Sequence, residues 1–357
     1  MYILKMNINK EQFDWQTYLN NYNDLQKNGI NTLDTAYKHW IIYGQNEGRT
    51  FHKIKSDNMT LRENERDVCY CYGNCQLDNI SRQLEDHPIL KSKYEFHYFY
   101  VVDSISKINK NLFQRTQLFI YQHVKSTSLS CTDTDLNPQL YTAEYIIQNY
   151  LPKSCVCISI PSIHFAAYWP DLMSSLEKYH EIAEEFPYIY TSKKLYELAI
   201  NLDVSEEDII QIIEDPFLIS DIDIQRNYEA AYQNLCDREL QNNVDIPISQ
   251  YLAENFKKIR LFNILNHPTL PTYNYIISKI NEKLQLPHDD YILRNQKYVN
   301  FSRNIYRTPI LKCVLRYFNF NDPSFDGPFF IHYKQFDTRQ DFFLYYVRKI
   351  RTLLKQN

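Results

Sequence analysis

Cysteine 75 and histidine 267 are the residues of this chain best suited to chemistry beyond packing. Cys75 lies in the stretch DVCYCYGNCQLDNISRQL, residues 67–84. Val68 to Tyr72 are β-branched, aromatic or Cys, the composition of a buried strand. Gly73-Asn74 breaks that pattern, and Leu77, Ile80 and Leu84 then recur at helical spacing. The spacing predicts strand, tight turn and helix, with Cys75 in the first helical turn. A thiol there feels the positive end of the helix dipole and nearby backbone N–H groups, which favour thiolate and can hold a developing oxyanion. The competing reading is a βα turn with an inert buried thiol.

Among five glycines, Gly73 alone falls between Gly48 and Gly327. That economy implies a backbone needing positive φ or the close approach of a ligand. His267 stands in Asn266-His267-Pro268-Thr269, directly after the apolar run 260–265, which reads as a final strand of the sheet, and Pro268 holds the residue before it extended. In a parallel sheet the carboxyl ends of the strands share one rim, so the two residues can meet there. An imidazole beside a thiol serves as its base or its cation. His123 and His164 follow other apolar runs and are rivals for that role. His97 falls inside a strand, His87 in a turn and His39 in a helical stripe without a carboxylate partner. Asn74, Gln76, Gln122 and Asn266 are positioned to donate to carbonyls or sugar hydroxyls, although amides at strand ends are also ordinary capping residues.

The elements that must position these groups follow from pattern. Apolar runs at 94–102, 117–124 and 155–160 predict further strands, with helices at 141–150, 209–213 (after a capping-box-like start at 205–208), 223–242, 249–258 and 272–284. Alternating strands and helices argue for a parallel sheet covered on both faces. Residues 1–56 form a separate helical module, with Phe13, Trp15, Tyr18, Leu19, Tyr22 and Leu25 on one stripe and Ala36, Trp40, Ile42 and Tyr43 on a second. That module is a docking or packing unit; its run FDWQTYLNNYNDLQ…AYKHWIIYGQNEGR resembles a short helical module that occurs beside glycan-processing domains, which implies a second copy of the chain or a partner of the glycan machinery as its occupant. Residues 57–66 complete a polar linker, 67–290 form the catalytic domain, and 291–357 form an aromatic extension with a basic end, best explained as a solvated helix face.

Composition removes whole classes of function. The net charge is −4, so no global field steers the chain to nucleic acid. No apolar run is long enough for a membrane helix, and the first residues lack a signal-peptide core, which gives a cytoplasmic expectation. Eight cysteines in 357 residues are not a disulfide scaffold. Cys69, Cys71, Cys155 and Cys157 alternate within strands as small buried hydrophobes, and C-x-C pairs there suit a metal poorly, so no metal is expected. The glycines do not permit a GxGxxG or P-loop motif, and no G-x-S-x-G elbow is present.

The segment Tyr72-Gly73-Asn74-Cys75-Gln76, together with Arg260-Leu261-Phe262 leading into Asn266-His267-Pro268-Thr269, resembles the WcbI-type polysaccharide-biosynthesis family. FIYQHVKSTS (119–128), SIPSIHFAAYWPDL (159–172), VSEEDI (204–209) and CDREL (236–240) fall in the order of that family. The resemblance covers about residues 67–290. It implies a three-layer, SGNH-like (flavodoxin-like) α/β fold and an acyltransferase using acetyl-CoA on a sugar acceptor in surface polysaccharide biosynthesis. It further implies Cys75 and His267 as the catalytic pair. Gly73, Asn74, Gln76, Gln122, His123 and Asn266 would lie at the CoA donor, and Ser126, His164, Tyr168 and Arg260 at the acceptor. Lys125, Arg82, Lys153 and Arg260 are the candidates for the CoA phosphates. SGNH enzymes carry Ser at the Cys75 position and Asp three residues before the His; here that position is Ile264, with Asn263 one residue earlier. A carbohydrate esterase on the same fold is one alternative. A non-catalytic glycan-binding protein is another, and it predicts that Cys75 and His267 lie far apart.

Overall fold

The computed structural model describes residues 10, 13–44, 49, 51, 66–101, 103–129, 137–172, 192–286, 306–331 and 334–356. Most of the predicted linker, and Cys131, lie outside them. The chain divides into two compact units, Met1–Arg66 and Asp67–Asn357.

In the first unit, α1 (Trp15–Asn21), α2 (Asn23–Lys27) and α3 (Leu33–His39) surround Phe13, Tyr18, Leu19, Leu25, Ala36, Trp40 and Phe51. Asp14 caps α1 by accepting from Thr17 N, and Thr32 and Thr35 form a capping box at α3. The expected second stripe is corrected at its end. Helix α3 runs into a π-helical turn, Trp40–Gly44, which turns Ile42 and Tyr43 to solvent. Gly44 is buried in their place, because a Cβ there would meet the Tyr18 hydroxyl at 2.3 Å.

The second unit is built on four parallel strands, β1 (Asp67–Gly73), β2 (Tyr94–Tyr100), β3 (Thr116–Gln122) and β4 (Val156–Ile160), in the order β2-β1-β3-β4. Alternation assigns the side chains to two faces. Cys69, Cys71, Leu118, Ile120, Ile158 and Ile160 enter one core; Val68, Tyr70, Tyr72 and Phe119 enter the other. Helices α4 (Cys75–Glu85) and α5 (Pro88–Lys93) belong to the first face, and α6 (Ala143–Asn149) covers the second. The result is a three-layer α/β fold. Cys155 and Cys157 are only half-buried, contrary to expectation, because β4 is the last strand of the sheet.

Helices α7 (Lys193–Ile200), α8 (Glu206–Ile213), α9 (Asp221–Gln241), α10 (Ser249–Asn255) and α11 (Leu270–Lys283) extend the first layer. The run 260–265 does not add a strand to the parallel sheet. It forms β5 (Phe262–Ile264), which folds back antiparallel onto β6 (His267–Pro268). Leu265 O accepts from Phe165 N at 3.0 Å, tying this hairpin to the loop after β4. The chain continues through β7 (Tyr306–Arg307), α12 (Lys312–Phe318), β8 (Phe329–Ile331), β9 (Lys334–Phe336) and α13 (Arg339–Gln356). Helix α13 packs on α7 and α8. Three of its arginines are engaged: Arg339 pairs with Glu214, Arg348 pairs with Glu206, and Arg351 donates to Ala199 O and Asn201 O near the end of α7. Among the described residues no helix is long and apolar enough to cross a membrane.

Candidate active site

Helix α4 begins where β1 ends, and its first turn is fixed by amides. Asn74 caps it, Oδ1 accepting from Gln76 N at 2.9 Å, while Nδ2 donates to Ser162 Oγ at 3.1 Å. Asn74 N donates to Gln122 Oε1 at 2.9 Å, and Asn74 O accepts from the Tyr98 hydroxyl at 2.6 Å. Gly73 is required by this crowding and not by φ, which is not left-handed. A Cβ at Gly73 would lie 2.6 Å from Gln122 Oε1 and 2.9 Å from Leu77 Cδ2. The close approach is therefore that of the protein's own amide.

Cys75 Sγ lies 3.6 Å from His267 Nε2 across 192 residues of sequence. The partner anticipated at the rim is thus present, although it arrives on the β5–β6 hairpin and not on a fifth parallel strand. Gln76 joins the two sides. It is fully buried, and its Nε2 donates to Ile163 O and Asn266 O, both at 2.7 Å. Its Oε1 accepts from Ile163 N at 2.9 Å and from Gln122 Nε2 at 3.2 Å. Gln122 Nε2 also donates to Pro161 O. These two amides therefore hold the end of β3 and the loops after β4 and β5 to the start of α4.

The electrostatics differ from the dipole expectation. Burial pushes the Cys75 thiol above its ordinary value; backbone N–H groups of Cys75 and Gln76 and the Tyr100 hydroxyl oppose this only in part. The Gln76 N–H is already committed to Asn74. Burial, then the neighbouring His164 imidazole, lowers His267 to about 4. At neutral pH the pair is a thiol facing a neutral imidazole, not an ion pair. His164, although part of it reaches the surface, is itself lowered, by desolvation and by Arg238. Tyr273 lies close to Cys75 and is raised by burial. Position 264, where an orienting carboxylate was sought, is a core isoleucine.

Of the other predicted residues, His164 joins the pair, and Asn266 reaches it through its carbonyl. His123 and Ser126 form a separate group with residues of the second face. His123 Nδ1 bonds Glu144 Oε1 at 2.5 Å, and Ser126 Oγ accepts from Gln139 Nε2 at 2.6 Å. Two substrate assignments are corrected. Arg260 is buried and donates to Phe262 O, Asn263 O and Thr308 O, so its charge stitches backbone carbonyls. Tyr168 is fully buried, donates to Phe256 O and accepts from Leu261 N. Lys153 precedes β4 and so sits at the opposite rim of the sheet. Arg82 pairs with Asp78. Lys125 is exposed just after β3, at the same rim as Cys75. Tyr98, Tyr100, Tyr273, Ser162 and Arg238 were not singled out from sequence. In a chain with 31 Tyr, a tyrosine at a strand end carries no distinguishing signal. Among the described residues no group of three or more His, Cys, Asp or Glu is arranged for a metal ion.

A solved structure described as WcbI, a novel polysaccharide biosynthesis enzyme, has the same fold as this chain, with a TM-score of 0.61 and 19% identity over 81% of this chain and 91% of that one. It is described as the native protein without a disulfide bond between CoA and one of its cysteines. None of the curated proteins matches significantly. The family model for the polysaccharide biosynthesis enzyme WcbI matches residues 68–289, from the first sheet strand past the His267 hairpin. With well over half of its length in that match, the chain belongs to the WcbI family of polysaccharide biosynthesis enzymes.

Proposed function

We propose that this protein is an acyltransferase that moves an acetyl group from acetyl-CoA to a sugar or glycan acceptor, nucleotide-linked sugars included. The observation that carries the proposal is the 3.6 Å approach of Cys75 Sγ to His267 Nε2 at a capped helix start. A non-catalytic glycan binder has no need of that contact. The solved relative's description mentions CoA in connection with a cysteine, and the proposal carries that pairing to Cys75. Of the candidate cations for the CoA phosphates, Lys125 is exposed at the correct rim, whereas Arg260 is consumed internally.

Because Nε2 faces the sulfur, we favour a covalent route. Cys75 Sγ attacks the thioester carbonyl as its proton passes to His267; the bond to the CoA sulfur breaks, and His267 returns the proton to the CoA thiolate. His267 then takes the proton of the acceptor hydroxyl or amine as that atom attacks the acetyl-Cys75 carbonyl. The carbon–sulfur bond breaks and His267 reprotonates Cys75. The Cys75 N–H, at the first turn of α4 beside its own sulfur, would turn to the oxyanion. In the rival route the acceptor attacks acetyl-CoA directly, with His267 as base.

Incubation with labelled acetyl-CoA and no acceptor is expected to leave label on the protein. Cys75→Ala should abolish that label and lower transfer about a hundredfold or more while CoA still binds. Full activity in Cys75→Ala selects the direct route. Release of acetate from an acetylated sugar with no need for CoA identifies an esterase and overturns the proposal.

A further inference from the structure

Arg238 is a cation near the candidate site with a buried donor that the protein leaves unpartnered. It lies in the last turn of α9 and donates from Nη2 to His164 O at 2.9 Å. Its Nε is buried with no hydrogen-bond partner, and among the described residues no carboxylate forms an ion pair with the guanidinium. The adjacent carboxylate, Glu239, is spent on Ile248 N, Ser249 N and Ser249 Oγ. Burial lowers Arg238 from its ordinary value, and the neighbouring Glu239 charge opposes this only in part. Arg238 in turn acts electrostatically on His164, and His164 on His267. Arg238 thus neighbours His164, His164 neighbours His267, and His267 faces Cys75, while Arg238 Nε remains unpartnered. A backbone tie at a helix end accounts for Nη2 but not for the remaining donors.

We propose that Arg238, with His164, binds an oxyanion, phosphate or carboxylate, carried by the sugar acceptor. The position favours the acceptor over the donor. The guanidinium bonds the carbonyl of His164, the residue whose imidazole acts on His267, so it stands next to the base that would activate the acceptor. A CoA whose sulfur sits at Cys75 holds its phosphates at the far end of the long pantetheine arm. The substrate class is therefore a sugar phosphate, a nucleotide-linked sugar or a uronic acid. Arginine suits either oxyanion because its planar fork donates two parallel hydrogen bonds.

The designation of the ligand as acceptor rests on the acyltransfer reading; the oxyanion site does not, because the test uses no acetyl-CoA. The full-length protein is titrated calorimetrically at low salt with glucose 1-phosphate, glucuronate and glucose, as wild type, Arg238→Gln and Arg238→Lys. The expected result is that one charged sugar binds about tenfold or more tighter than glucose, that Arg238→Gln removes this preference and that Arg238→Lys retains part of it. Preference for glucose 1-phosphate names a phosphorylated acceptor, and preference for glucuronate a uronic acid. Equal binding of all three sugars overturns the site, as does an unchanged preference in Arg238→Gln. A tenfold loss of CoA affinity in Arg238→Gln with sugar binding unchanged assigns the cation to the donor and also overturns it. If Arg238→Gln does not fold, raised salt applied to wild type decides, since the preference must fall as salt screens the charge. Arg238-dependent sugar binding without any acetyl transfer leaves this site standing and overturns the proposed function.

Discussion

His267 is kept neutral by its surroundings, and this fixes a pH signature. Its folded value of about 4 lies below the ordinary 6.5, so between those limits the unfolded chain binds more protons than the folded one. Stability from this group is complete above about pH 6.5 and is lost as the pH falls toward 4, by at most about 3 kcal/mol. Urea denaturation across that window should show a smaller acid loss in His267→Asn than in wild type. Parallel losses would mean that the imidazole is not held neutral. Gly73→Ala tests the neighbouring turn. Its Cβ would overlap Gln122 Oε1 and Leu77 Cδ2, so a loss of roughly 1–3 kcal/mol is expected by chemical denaturation. Unchanged stability would show that the amide can move aside. That Gly73 matters was legible in its isolation in sequence. That its neighbour is an amide from β3 was not, because nothing local links residues 73 and 122.

At the scale of elements, α4 acts as the clamp of the site. Gln76 reaches from its first turn to carbonyls on two other loops, one of them adjacent to His267. Gln76→Leu leaves Ile163 O and Asn266 O without these donors inside the protein. The expected cost is about 2–4 kcal/mol, with a fall in kcat as His267 loses its register against Cys75. Gln83, buried on the same helix, bonds back to its own Asn79 O, so Gln83→Leu should cost less and leave kcat unchanged. Equal kcat in the two variants would remove the positioning role. Strands β1 to β4 were readable because each is a short apolar run filling a sheet buried on both faces. The β5–β6 hairpin was not readable. An apolar run of strand length has the same composition whether it joins a parallel sheet or folds back on its own successor.

For the whole molecule, the informative measurement is the unfolding temperature with and without CoA. A ligand that binds only the folded state at about a hundred times its Kd contributes about 2.7 kcal/mol, roughly a 5 °C rise for a unit of this size. No rise at millimolar CoA would exclude it as the donor. The sequence by itself determined the strand–turn–helix around Cys75, the alternation that builds the sheet, the helical first unit and the pairing of a GNCQ turn with an NHP turn. These are periodicities and turn chemistries, set by neighbours a few positions apart. Only the tertiary structure decided which polar residues are free to meet a substrate. Arg260 and Tyr168 are buried in the core and tie backbone carbonyls there, whereas Arg238 is only partly buried and holds an unpartnered donor beside His164. It also decided the protonation of the pair, since the helix dipole that favours thiolate is local while the burial that opposes it is assembled from the whole fold.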